Sequence, residues 1–181
     1  MENKYNKKEK NIAFIDGQNL HLGVSENKWT IDHYKFRIYL KDKYHVTEAY
    51  YFLGYTIYEE RELYKNLQKA GFIVIFKKHN LNLLTQKKGN VDSDIIFETM
   101  KNLIDNKDFD KILLVSGDGD YKKLIDYLIV KNKFIKILFP NRKFTSSLYK
   151  DLSNKFFSYL EEKDIRRKIE YFRLDKKKRV P

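Results

Sequence analysis

The chain contains no cysteine in its 181 residues, so no disulfide and no thiolate metal site can be built from it. That absence fits a reducing compartment. No run approaches the roughly 18 apolar residues of a membrane span, and no apolar stretch of a secretory leader follows the basic first residues, Met1 to Lys10. A soluble, cytoplasmic protein without a membrane partner is expected. Neither internal repeats nor low-complexity linkers interrupt the sequence, and at this length one domain with a real core is expected rather than two. The four histidines, at 21, 33, 45 and 79, show no paired ligand spacing, which argues against zinc.

Positive charge is in excess. The formal net charge is +12 and the isoelectric point is near 9.5, a balance that suits a polyanionic partner because lysine and arginine release counterions from phosphate backbones. Only seven of the 37 basic residues are arginine. A lysine-rich skew of that kind also arises from compositional drift, so the basicity supports a nucleic-acid partner without carrying the argument.

The pattern along the chain alternates strands with helices. Residues 1–10 are expected to form a flexible basic lead-in. Asn11 to Ile15, Val46 to Leu53, Phe72 to Phe76, Lys111 to Val115 and Phe134 to Phe139 are short apolar runs of the kind buried in a parallel sheet. Between them, helical periodicity covers 32–44 (Tyr34, Ile38 and Tyr39 on one side) and 58–70, closed by Gly71. It also covers a stretch with Ile95, Ile96, Met100, Leu103 and Ile104 inward, and one with Leu124, Ile125, Leu128 and Ile129, which places Asp120 at the N-cap. The spacing predicts an α/β single domain over 11–160, a Rossmann-like sandwich whose central, mainly parallel sheet of about five strands is flanked by helices. Residues 145–179 read as helical, with 161–181 a basic C-terminal helix and tail.

Two strands deliver acids into glycine-containing turns at their C-terminal ends. Asn11 to Ile15 runs into Asp16-Gly17-Gln18-Asn19, and Lys111 to Val115 into Ser116-Gly117-Asp118-Gly119-Asp120. In an open α/β sheet such ends face a common crevice. Extending the apolar face of the 95–104 helix backward reaches Asp92, while Asp94 falls outward with Glu98 and Lys101. Asp16, Asp92, Asp118 and Asp120 thus form a candidate catalytic and metal-binding cluster for Mg²⁺ or Mn²⁺, which take oxygen ligands. Asn19, Ser116 and Asp94 are candidate supporting polar residues, and Lys87, Lys88 and Arg142 candidate contacts to a substrate phosphate. The bland readings stand beside these: Asp120 as a helix cap, Asp94 as a first-turn acid complementing the helix dipole, and Lys87 and Lys88 as solvated charges.

The strings FIDGQN, KKGNVDSDIIFE and LLVSGDGDYKKLI, in this order and spacing, resemble the NYN branch of the PIN-like nuclease superfamily. The resemblance runs from Asn11 to about Leu160. It implies a parallel-sheet sandwich, a Mg²⁺ or Mn²⁺ site and cleavage of RNA, single-stranded or structured, by an endoribonuclease. It carries the acidic positions onto Asp16, Asp92, Asp118 and Asp120, with Asn19 and Ser116 as polar neighbours and Glu98 where the family often has a further acid. Asn154, within Ser153 to Phe156, departs from the late family pattern, which has an acid there. A homodimer sharing a basic groove is compatible with the sequence. Two rivals are weaker. A haloacid-dehalogenase-like phosphatase needs an acid two residues after its nucleophile, where Gln18 stands, and an EF-hand reading of Asp118-Gly119-Asp120 lacks the sixth-position glycine and the twelfth-position acid. A binding module that keeps the fold without cleavage is the rival of another class.

Overall fold

A computed structural model describes residues 9–54, 58–77, 91–105 and 108–172. Asn11–Asp16 (β1), Val46–Leu53 (β2), Ile73–Phe76 (β3), Ile112–Val115 (β4), Phe134–Phe139 (β5) and Phe157–Tyr159 (β6) form one sheet of order β3-β2-β1-β4-β5-β6. Every neighbouring pair is parallel. The helices are Gly17–Glu26 (α1), His33–Tyr44 (α2), Arg61–Ala70 (α3), Asp92–Ile104 (α4), Lys122–Val130 (α5) and Lys163–Ile169 (α6).

The layers follow from side-chain alternation, because successive residues of a strand face opposite ways. Ala13 and Ile15 of β1 join Tyr51, Leu113 and Val115 in a core beneath α1, α2, α3 and α6. Ile12 and Phe14 instead join Tyr50, Phe52, Ile112 and Leu114 beneath α4 and α5. Phe14 is fully buried and stacks on Tyr50 with ring centroids 5.2 Å apart. Truncating a ring of that kind to alanine costs about 3–5 kcal/mol. The start of β1 is fixed by a buried polar residue: Asn11 donates from Nδ2 to the Tyr44 carbonyl at 2.6 Å and accepts the Lys111 N–H at 3.0 Å.

The expected α/β parallel-sheet sandwich is the architecture found, with six strands. The sixth comes from the stretch expected to be helical. Residues 145–162 instead carry short 3-10 turns, Ser147–Tyr149 and Asn154–Phe156, and β6, and among the described residues only Lys163–Ile169 there is α-helical. The apolar spacing of Phe157 and Tyr159 is the period of a strand, and both rings lie against Phe139 of β5. On α2, Tyr34 and Ile38 are exposed, and Phe36, Tyr39, Leu40 and Tyr44 form its buried face. Ile104, at the end of α4, is likewise exposed.

The helix after β4 also begins differently. Asp118 accepts the Asp120 N–H at 3.0 Å and caps a 3-10 turn, Gly119–Tyr121, ahead of α5, so Asp120 is displaced from the cap position. Gly71, with φ +91°, closes α3 as its spacing predicts. Gly17 works through space instead of through φ. A Cβ there would lie 2.4 Å from Tyr51 Cε1 and 2.6 Å from the Phe52 carbonyl oxygen, and the second of these is backbone of the neighbouring strand. Gly17→Ala is therefore expected to destabilise the fold by about 1–3 kcal/mol, read as a lower urea midpoint at unchanged slope.

Candidate metal centre

The strand order reverses direction between β1 and β4, and at such a switch point the turns after two adjacent strands diverge and leave a crevice. Ile15 pairs with Val115, so Asp16 and Ser116 leave the sheet side by side. Asp16 caps α1 by accepting the Asn19 N–H at Oδ1, 2.9 Å away. Its Oδ2 lies 3.5 Å from the Ser116 hydroxyl. The Asn19 side chain crosses between the two turns and accepts the Gly117 N–H at 2.7 Å, while Ser116 Oγ accepts the Asp118 N–H at 3.1 Å. Hydrogen bonds between side chain and backbone thus lock the β1 and β4 turns together.

The third acid arrives from the chain between β3 and β4. Asp92 is the first residue of α4 and is 8 % exposed. Asp16, Asp92 and Asp118 line one cleft of about 230 Å³ with Gln18, Asn19, Leu22 and Val91. Asp92, Asp118 and Asp120 each place a carboxylate oxygen within 4.8 Å of the others. Asp16 stands beside that trio without joining it at this spacing.

The electrostatics of the cleft are dominated by its carboxylates. Burial pushes the Asp16 carboxyl up to about 6, and the charges of Asp92 and Asp118 add to the effect against the opposing bond from the Asn19 N–H. No lysine or arginine is among the described residues lining the cleft. An all-oxygen, carboxylate-rich set fits a hard divalent ion such as Mg²⁺ or Mn²⁺. Burial together with Asp16 and Asp92 also pushes the phenol of Tyr121 upward, so it is held neutral as a donor.

The remaining candidates lie apart from the cleft. Asp94, expected on the outer side of α4, is half-buried, and its Oδ2 is shut away from solvent without a hydrogen-bond partner. Glu98 is half-buried, and its charge acts on the phenol of Tyr50. Arg142 is exposed, stacks 3.9 Å over the Tyr159 ring and pairs with Glu161 and Glu162 at 3.3 and 3.4 Å. It is not among the described residues that line the cleft. Lys87 and Lys88 lie outside the described residues.

Two tyrosines at the site were not among the sequence candidates. Tyr121 donates to Asp92 Oδ1 at 2.5 Å and lies 3.4 Å from Asp16 Oδ2. Its signal was available: Tyr121 extends the spacing of Leu124, Ile125 and Leu128 backward onto the inward face, and a buried phenol needs a partner. Tyr149 donates to the Asp118 carbonyl. That bond had no sequence signal, because it joins a side chain to a backbone group 31 residues away.

These features define an α/β protein with an acidic cleft at the switch point of a parallel sheet, the arrangement of a PIN-like nuclease fold. Residues 11–161 match the family model of the NYN domain, and the chain belongs to that family. It is 26 % identical over 167 residues to the low amplitude and bright protein LabA of Synechococcus elongatus, a match covering 87 % of this chain and 86 % of that one. A crystal structure of a protein of unknown function from Vibrio parahaemolyticus has the same fold, with a TM-score of 0.72 and 22 % identity. That match covers 87 % of this chain and 96 % of the other. Among the described residues no helix is long and apolar enough to cross a membrane.

The raised Asp16 carboxyl has a definite stability consequence. Its folded value, about 6, exceeds the reference 3.8, so the native state holds the proton to higher pH than the unfolded chain does. That contribution is complete below about pH 4 and is lost as pH rises through about 6, with a limit on the order of 3 kcal/mol. In chelator, wild type is expected to lose stability relative to Asp16→Asn between about pH 4 and about pH 7. Denaturant midpoints of the pair at the two pH values check it.

Proposed function

We propose that the protein is a Mg²⁺- or Mn²⁺-dependent ribonuclease that hydrolyses RNA phosphodiester bonds in the cleft between the β1 and β4 turns. The observation that carries this reading is the convergence of Asp16, Asp92 and Asp118, from three separate chain segments, on one cleft. Family membership supports the reaction class. The net charge of +12 supports a polyanionic substrate.

In this reading Asp92, Asp118 and Asp120 hold the ion, with Asp16 at its edge. When bound, a divalent ion supplies a nucleophilic hydroxide at neutral pH and offsets the charge that develops on the phosphate. The chain's own residues set the geometry. Asn19 and Ser116 hold the two turns at fixed spacing, so the acids need not reorganise as the substrate reacts. Gln18 and Leu22, exposed at the rim, offer an amide and an apolar surface to the nucleotides flanking the scissile phosphate.

The test is a gel assay on labelled single-stranded and structured RNA, with DNA of the same sequence alongside, in Mn²⁺, Mg²⁺ or chelator. Cleavage of RNA that needs the metal is expected, falling at least about 100-fold in Asp16→Asn and Asp118→Asn. Binding without cleavage in any metal, equal in wild type and variants, would overturn the enzyme in favour of a binding module.

A further inference from the structure

We propose that Tyr121 is a positioning residue of the metal centre: its hydroxyl fixes the Asp92 carboxylate against the β4 turn and the end of β1, and so sets the affinity for a divalent cation. This rests on the reading of the cleft as a metal-dependent site. The hydroxyl lies 2.5 Å from Asp92 Oδ1 and 3.4 Å from Asp16 Oδ2. Its single proton is therefore committed to Asp92, with Asp16 at the edge of reach.

The position is unusual in what it connects. Tyr121 ends the 3-10 turn that Asp118 caps and that contains Asp120, so one side chain links that turn to α4 and faces β1. Asp92 opens α4 behind a cap residue, Val91, that makes no side-chain capping bond. Facing Asp118 and Asp120, a carboxylate so placed tends to rotate away from its neighbours, and the hydroxyl opposes that rotation. The ring is 1 % exposed and belongs to the same core as Phe14, Ile95 and Ile125, which makes the hydroxyl a rigid reference point. A phenol also suits the task chemically. Lysine or arginine there would orient Asp92 equally well but would neutralise the charge that attracts the ion, whereas a neutral donor orients the carboxylate and leaves its charge in place.

The experiment is a Mn²⁺ titration, with free ion read by electron paramagnetic resonance, on full-length wild type, Tyr121→Phe, Asp92→Asn, the double variant and Asp118→Asn. Melting in chelator runs beside it. Tyr121→Phe keeps the ring, so its melting is expected to stay close to wild type while Mn²⁺ affinity falls about 10- to 100-fold. Added to Asp92→Asn, the same change is expected to weaken binding little further, because the hydroxyl acts through Asp92. In RNA cleavage the Mn²⁺ midpoint should rise about as much, with the rate at saturating metal near wild type.

Wild-type affinity in Tyr121→Phe, with binding lost in Asp118→Asn, would overturn the role of Tyr121 and leave the metal centre standing. An effect of Tyr121→Phe that adds in full to Asp92→Asn would overturn it too. Wild type that takes up no Mn²⁺ would overturn the metal reading and this role together.

Discussion

Carboxylates gathered out of water repel one another, and everything around the cleft is arranged to hold them together despite that cost. Asp16 and Asp92 are both buried, and a backbone N–H, two hydroxyls and the dipole of a helix start are among the groups that reach them. These groups orient the acids, and the raised Asp16 carboxyl records its burial and the neighbouring charges of Asp92 and Asp118. Asp92, Asp118 and Asp120, close together, make a negative field that a small cation can satisfy.

The sheet provides the rigidity this requires. β1 lies at the middle, paired with β2 on one side and β4 on the other, and its residues alternate between the two cores. Its C-terminal end cannot move without disturbing both layers. The close approach of Gly17 to β2 carries that constraint into the first turn of α1, and Asn19 carries it across to Gly117. Asp92 alone comes from outside the sheet, through a helix that packs against β1 and whose start needs a separate anchor. The phenol of Tyr121 fills that place.

Much of this architecture could be read from residue patterns, and the exceptions have physical causes. The apolar runs that became β1 to β5 are continuous because both sheet faces are covered, a signal that survives without tertiary information. β6 is only three residues long, too short for its period to stand out from the apolar residues around it. Tyr34 and Ile38 fit a helical face by spacing, but Phe36 and Leu40 are the ones that meet the core. At the site, strand-end aspartates announced themselves because an acid after an apolar run is costly without a purpose. Nothing local in the sequence signals that Arg142 stacks on the Tyr159 ring and pairs with Glu161, because both partners are 17 or more residues away. Tyr121 and Tyr149 act through single hydroxyls whose targets are set by packing, and no local pattern encodes a target.

The bond between Ser116 and Asp16 spans 100 residues of chain, and the pairing of β1 with β4 spans a similar length. During synthesis the chain leaves the ribosome N-terminus first, so Asp16 emerges long before the strand that completes its surroundings. Until β4 and its turn follow, β1 has one neighbour and the acids have no common cleft. The centre comes into being late and all at once, which leaves a growing chain, still beside messenger and ribosomal RNA, without an assembled acidic site.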